Sequence, residues 1–176
     1  MDNKEITTEA NDCKTIPFLV KPPLHTSNKR VVVEKEKWNW DTETYTPENQ
    51  YKIFTEKDEK SEIYKRMLQQ IQRKINGYKH QDKDKGLFDA NKFVRLRYVL
   101  DLLQISDFDC YYCKEKVKIL YEYIRESKQW SLERIDNDIG HNVDNVKIAC
   151  LHCNLHRKTM YHERYAFTKQ LKIVKK

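Results

Sequence analysis

Cys110-Tyr-Tyr-Cys113, Trp130-Ser-Leu-Glu-Arg-Ile135, Asn145-Val-Lys-Ile148 and Cys150-Leu-His-Cys153 follow one another in the last part of the chain. Their order decides the fold. In each Cys-x-x-Cys pair the two-residue gap lets both thiolates of a tight turn reach one ion, and two such turns complete the tetrahedron that Zn²⁺ prefers. The intervening stretch, residues 114–149, is longer than a short zinc ribbon allows, so a small fold must lie between the two turns. Residues 130–135 alternate as a strand does, residues 137–144 with Gly140 read as a loop, and residues 145–148 read as the returning strand. A basic helix is expected from Asn154 towards the end. Four thiolates leave no open position on the ion, so one zinc per chain, held by Cys110, Cys113, Cys150 and Cys153, would be structural. It would add folding energy to a module too small for a large core.

Outward from this stretch the texture changes twice. The chain has 176 residues, enough for one domain or a small domain with an appendage. Residues 1–60 hold all four prolines, Pro17, Pro22, Pro23 and Pro47, among scattered charges. They read as a poorly ordered or arm-like segment, with Trp38 and Trp40 as packing anchors in preference to base-stacking groups. Residues 61–105 read as helical. Ser61 can cap, and Tyr64, Leu68, Ile71, Ile75 and Tyr78 recur at helical spacing. Gly77 stands where this helix could stop, with a charged loop at 81–85. A second helix is expected from Asp89 to about Gln104, with Phe93, Leu96, Leu100 and Leu103 on one face. Residues 106–176 then form the cysteine-bearing module. The fold class expected is α+β, a helical N-terminal part plus a small zinc-stapled module.

The net charge is +7, and it is concentrated at the C-terminal end. After Asn154 come Arg157, Lys158, Arg164, Lys169, Lys172, Lys175 and Lys176 against one acid, Glu163. A polyanion is therefore a reasonable partner. No apolar run approaches the roughly 18 residues needed to cross a bilayer, so no membrane partner is expected. The polar, acidic start resembles neither a signal nor a transit peptide. Five cysteines, an odd number, fit a reducing compartment better than a disulfide framework, and Cys13 has no partner pair. An intracellular, soluble protein of cytoplasm or nucleus is expected.

The segment Ser131-Leu-Glu-Arg-Ile-Asp-Asn-Asp-Ile-Gly-His141, then Asn145-Val146, then Cys150-x-x-Cys153-Asn154 resembles the HNH endonucleases. It is most similar to the subclass whose first strand reads Leu-Asp-Arg-Ile-Asp. The resemblance covers residues 110–154, is specific as a set, and extends to nothing in residues 1–105. It implies a ββα-metal fold in which two strands and a helix grip one divalent ion, Mg²⁺ or Mn²⁺, against a DNA phosphate. Carried over by position, Glu133 stands for the strand carboxylate that ligates this ion, where the family usually has Asp. Asn154 stands for the His or Asn ligand at the helix start. Arg134 replaces the usual first His, and the general base passes to the loop position that His141 occupies. Asn145 matches the Asn that holds the loop through backbone hydrogen bonds.

Elementary chemistry agrees with these roles. Phosphodiester hydrolysis needs a base for water and a cation for the developing charge. Glu133 and Asn154 offer oxygen ligands suited to Mg²⁺, and His141 can take a proton near neutral pH. Arg134 cannot be a base but can hold a phosphate bidentately. Asp136 is either a loop cap or a second carboxylate. Arg134, His156, Arg157, Lys158, Arg164, Lys169 and Lys172 are the candidate nucleic-acid contacts, with His156 and Arg157 expected on an exposed helical face. DNA is the expected partner, RNA and a second copy of the chain being left open. The competing class is a non-catalytic zinc module that binds nucleic acid, which explains the cysteines and the basic end equally well.

Overall fold

A computed structural model describes residues 40–171. Cys13, Trp38, Lys172, Lys175, Lys176 and most of the expected arm lie outside the described residues. The architecture is α+β. Five helices surround one two-stranded antiparallel sheet among the described residues, and none of these helices is long and apolar enough to cross a membrane.

The chain enters through a 3-10 turn, Thr42–Tyr45, and then α1, Pro47–Glu56. Pro47 sits at the start of α1, where its missing N–H costs nothing. Trp40 packs against the core beside Tyr45. Phe54 of α1 is buried against Phe108 with rings 5.0 Å apart. Gln50 is wholly buried and acts as a piece of backbone. Its Oε1 accepts from the main-chain N–H groups of Ile119 and Leu120, both at 2.8 Å, and its Nε2 donates to the Leu120 carbonyl. The region around 117–123, whose type the sequence does not reveal, is therefore an irregular strap tied to α1 by one side chain.

Helix α2 spans Glu62–Asp84, with the Ser61 hydroxyl accepting from the Tyr64 N–H as expected of a cap. Gly77 does not stop it, and the loop expected at 81–85 is its last turn. The reason is local. Mid-helix glycine costs only about 1 kcal/mol relative to alanine, whereas a complete stop is built nine residues on. Gly86 adopts a left-handed conformation (φ +69°), its N–H donates to the Lys83 carbonyl at 3.0 Å, and Leu87 N–H reaches back to Asp82 O at 2.8 Å. That pair of bonds is the Schellman arrangement. The buried face of α2 carries Tyr64, Met67, Ile71, Ile75 and then, in the same register, Asp82.

Helix α3 begins at Leu96 and ends at Ile105, later than the expected start at Asp89. The Asp89 carboxylate instead accepts from the Asn91 and Lys92 N–H groups and holds a turn. This frees residues 92–94 to pair with the loop at 141–143. Phe93 bridges Asn142, Val94 N–H donates to His141 O, and Val143 N–H donates to Lys92 O.

Strands β1, Trp130–Arg134, and β2, Val146–Cys150, pair with Trp130 opposite Cys150 and Arg134 opposite Val146. Helix α4, Leu151–Arg157, follows without a linker, Cys150 serving as its N-cap. The basic helix expected to run on from Asn154 is two helices. Lys158 breaks it (φ 53°, ψ −118°), and α5 occupies His162–Gln170. Tyr165 of α5 packs edge-on against Tyr112 at 4.8 Å, and Gln170 donates to the Tyr112 carbonyl. One hydrophobic core takes residues from α1, α2, α3 and both strands, so the helical part and the cysteine-bearing part are packed together.

Candidate functional site

The first cysteine turn is held by Cys110 N–H donating to Glu115 O and Tyr111 N–H donating to Ile148 O, which brings it against β2. The second is the start of α4. The four sulfurs of Cys110, Cys113, Cys150 and Cys153 lie within 4.8 Å of one another, with Cys113 and Cys150 4.0 Å apart. A tetrahedron with Zn–S bonds of about 2.3 Å needs sulfurs about 3.8 Å apart. The cluster fits a metal ion such as zinc. His152, His156 and His162 lie outside it. The thiols share their charge unevenly. Hydrogen bonding from Cys150 pulls Cys110 down to about 4, and the burial of Cys113 and Cys153 beside that charge pushes both up. A cation among them removes the conflict, because each coordinated thiol is held as thiolate.

Behind the sheet, between α2, β1 and α4, lies a cavity of about 590 Å³. Glu133, Arg134, His141 and Asn154 all line it, together with Lys74, Tyr78, Gln81 and Lys85 from the α2 side. Lys158 stands at its wall as well. Residues distant in sequence thus meet at one place because β1 brings two of them, the loop a third and the first turn of α4 the fourth.

His141 is 4 % exposed. Its main-chain N–H donates to Asp82 Oδ2 at 2.6 Å, and its ring Nδ1 lies 2.8 Å from Asp82 Oδ1. Tyr78 covers the ring face at 4.4 Å. Burial pulls the imidazole below its ordinary range, and Asp82 works against that. Gly140, next to it, is needed for space. A Cβ there would come within 2.5 Å of Leu87 O and 2.8 Å of Asp82 Oδ2.

Glu133 is buried and meets Arg157 and Tyr112 through one oxygen, Oε1. It forms an ion pair with Arg157 and accepts from the Tyr112 hydroxyl at 3.2 Å. Burial raises the Glu133 carboxyl, and the Arg157 charge opposes the rise. Asn154 donates through Nδ2 to Ser131 Oγ and Leu132 O, which turns its amide so that Oδ1 is the end left for a ligand. One carboxylate oxygen and one amide oxygen are the donors a hard divalent cation takes, so the residues present fit one. Asn145 bonds across the loop. Its Nδ2 donates to the carbonyls of Asp136, Ile139 and Gly140, and its Oδ1 accepts from Asp136 N–H at 2.8 Å. Asp136 caps the loop by accepting from Asp138 N–H and does not line the cavity.

The basic residues divide. Lys158, Arg164 and Lys169 are exposed, as is His156, whose ring stacks on His152 and bonds the His152 carbonyl. Arg157 is not on the exposed face where the sequence put it. It is 4 % exposed, and besides Glu133 it donates to Arg134 O, Asn137 Oδ1 and Met160 O. The break at Lys158 is what lets its guanidinium turn inward. Arg134 is half-buried and donates to the carbonyls of Asn137 and Ile139.

Asp82 and Tyr78 were not among the residues that sequence singled out for the site. One signal was present: Asp82 falls in the apolar register of α2, four residues past Tyr78, where a solvated acid does not belong. Compared with protein-family models, curated proteins and solved structures, the chain matches none.

Proposed function

We propose that the chain is a divalent-metal-dependent endonuclease of the HNH type that hydrolyses DNA phosphodiester bonds. One observation carries the reading. Glu133, Arg134, His141 and Asn154, the four residues the motif assigns to chemistry, line a single cavity, while Asn145 holds the loop between them. When bound, Mg²⁺ or Mn²⁺ supplies positive charge for the developing phosphorane and the leaving oxygen. Glu133 and Asn154 are the residues that would hold it, with Oε2 and Oδ1 as the oxygens their other contacts leave over. His141 takes a proton from the attacking water as that oxygen bonds to phosphorus. The bond from phosphorus to the leaving oxygen breaks, and that oxygen is protonated from solvent. Arg134 steers the phosphate. A zinc ion on Cys110, Cys113, Cys150 and Cys153 is structural and fixes the start of α4, and with it Asn154. Exposed Lys158, Arg164 and Lys169 track the phosphate backbone.

The test is nicking of supercoiled plasmid with Mg²⁺ or Mn²⁺. Wild type is expected to cut, and His141→Ala to cut about a hundredfold more slowly or worse, the scale of losing a general base. Equal rates for the two would remove His141 from the mechanism.

A second reading is a zinc-containing module that binds nucleic acid without cutting it. The observation in its favour is the ion pair of Glu133 with Arg157, which already neutralises the carboxylate. On that reading no metal promotes cleavage of duplex, single-stranded or branched DNA, or of RNA. Binding still weakens with salt, by a slope of about 0.9 per phosphate contacted.

A further inference from the structure

We infer that Asp82 is the positioning residue of His141, holding the imidazole with its proton on Nδ1 so that Nε2 is the proton acceptor. The inference rests on the reading of His141 as the base. A main-chain N–H can only donate, so Asp82 Oδ2 is the acceptor of the 2.6 Å bond from His141 N. Oδ1, the other oxygen of the same carboxylate, meets ring Nδ1 at 2.8 Å, and an acceptor there requires the proton on Nδ1. The lone pair is then on Nε2.

Pairing the His141 main-chain N–H needs only one acceptor, and does not by itself call for a carboxylate at this position. Asp82 is 1 % exposed, and no Lys or Arg among the described residues forms an ion pair with it. It stands in the last turn of α2, the negative end of the helix dipole. A neutral amide would accept from the His141 N–H without burying a charge. The surroundings are nonetheless shaped to admit the carboxylate. Gly140 clears the space beside Oδ2, the stop at Gly86 fixes the end of the helix, and Tyr78, one turn earlier, covers the imidazole face. The charged groups facing His141 are Asp82 and Lys85 from the α2 end and Arg134 from β1. Asp82 raises the basicity of the ring; the two cations and burial lower it. Asp82 thereby supports the imidazolium that forms when water gives up its proton, and touches no reacting atom itself.

The experiment uses the full chain labelled with ¹⁵N-histidine, the His141 ring signals being assigned by their loss in His141→Gln. Imidazole nitrogen shifts report the tautomer and the titration whether or not the protein cuts DNA. Wild type is expected to carry its proton on Nδ1 at neutral pH. In Asp82→Asn the single amide oxygen is claimed by the His141 N–H, so the NH₂ faces Nδ1 and the ring proton moves to Nε2. The titration midpoint falls, and the acid limb of kcat/KM falls with it. Plasmid nicking drops about a hundredfold or more, with KM and zinc content unchanged. Added to His141→Ala, Asp82→Asn costs no further rate. A wild-type ring protonated on Nε2 overturns the assignment even if Asp82→Asn does not fold. An unchanged tautomer and midpoint in a folded Asp82→Asn overturns it equally. Absence of cutting by wild type counts against the nuclease reading alone, because the ring signals still decide the role of Asp82.

Discussion

Arg157 illustrates how one side chain changes meaning between a sequence and a fold. In a row of cations it looks like a phosphate contact, yet its guanidinium is inside, shared between Glu133, Asn137 and two carbonyls. Arg157→Ala should therefore destabilise the fold by about 3–5 kcal/mol, the cost of leaving a buried carboxylate alone. Arg164→Ala, on an exposed helix face, should change stability by no more than about 0.5 kcal/mol. Urea midpoints separate the two. If Glu133 also binds a divalent cation, millimolar Mg²⁺ should raise the midpoint of Arg157→Ala more than that of wild type. His141 makes a second prediction, on pH. Burial lowers its pKa from 6.5, so the unfolded chain takes up a proton at a pH where the folded chain does not. Its contribution to stability is fully present above pH 6.5 and is lost as pH falls through the lower folded value. Midpoints at pH 7.5 and pH 5 should differ more in wild type than in His141→Gln. An equal difference would show that the ring titrates in the fold as it does in the unfolded chain.

Among the elements, α1 is tied to the rest by Gln50 as well as by its apolar face. Gln50→Ala removes three hydrogen bonds and leaves two buried main-chain N–H groups unpaired, each worth about 1–3 kcal/mol. A loss on the order of 3 kcal/mol in urea unfolding is expected, against well under about 1 kcal/mol for exposed Lys52→Ala. Nothing in the sequence points to Gln50, because a glutamine reads the same on a surface as in a core, and the strap it satisfies has no periodicity. The strands, both cysteine turns and the cap at Ser61 were legible because alternation, ligand spacing and capping are local rules. The end of α2 was not. Gly77 and Gly86 are equally good stops in isolation, and the choice between them depends on Tyr78 and Asp82 having partners on β1 and the loop. The same limit applies to the cavity. Sequence supplied the residues on β1, the loop and α4, whereas the wall from α2 comes from a region with no recognisable motif.

For the molecule as a whole, the four-cysteine cluster and the core are one system. Structural zinc is worth about 10–16 kcal/mol to a small domain, as much as the entire stability of most domains. Zinc removal should therefore unfold the strands and α4, and should loosen α2 and α3 through the shared core. Elemental analysis should give one zinc per chain, and a strong chelator should abolish the cooperative thermal transition. An unchanged transition after complete zinc removal would assign the four cysteines to packing alone. The two-stranded sheet has a further consequence for behaviour at high concentration. A ribbon this narrow has two open edges, each a template for strand addition from another molecule. Here both are blocked. The Tyr78 hydroxyl accepts the outward N–H of Leu132 at 3.0 Å, and the Tyr111 N–H takes the outward carbonyl of Ile148 at 2.8 Å. The tyrosine that lies over the imidazole thus also closes the β1 edge, and Tyr78→Phe would leave the Leu132 N–H unpaired, at a cost of about 1–3 kcal/mol in urea unfolding.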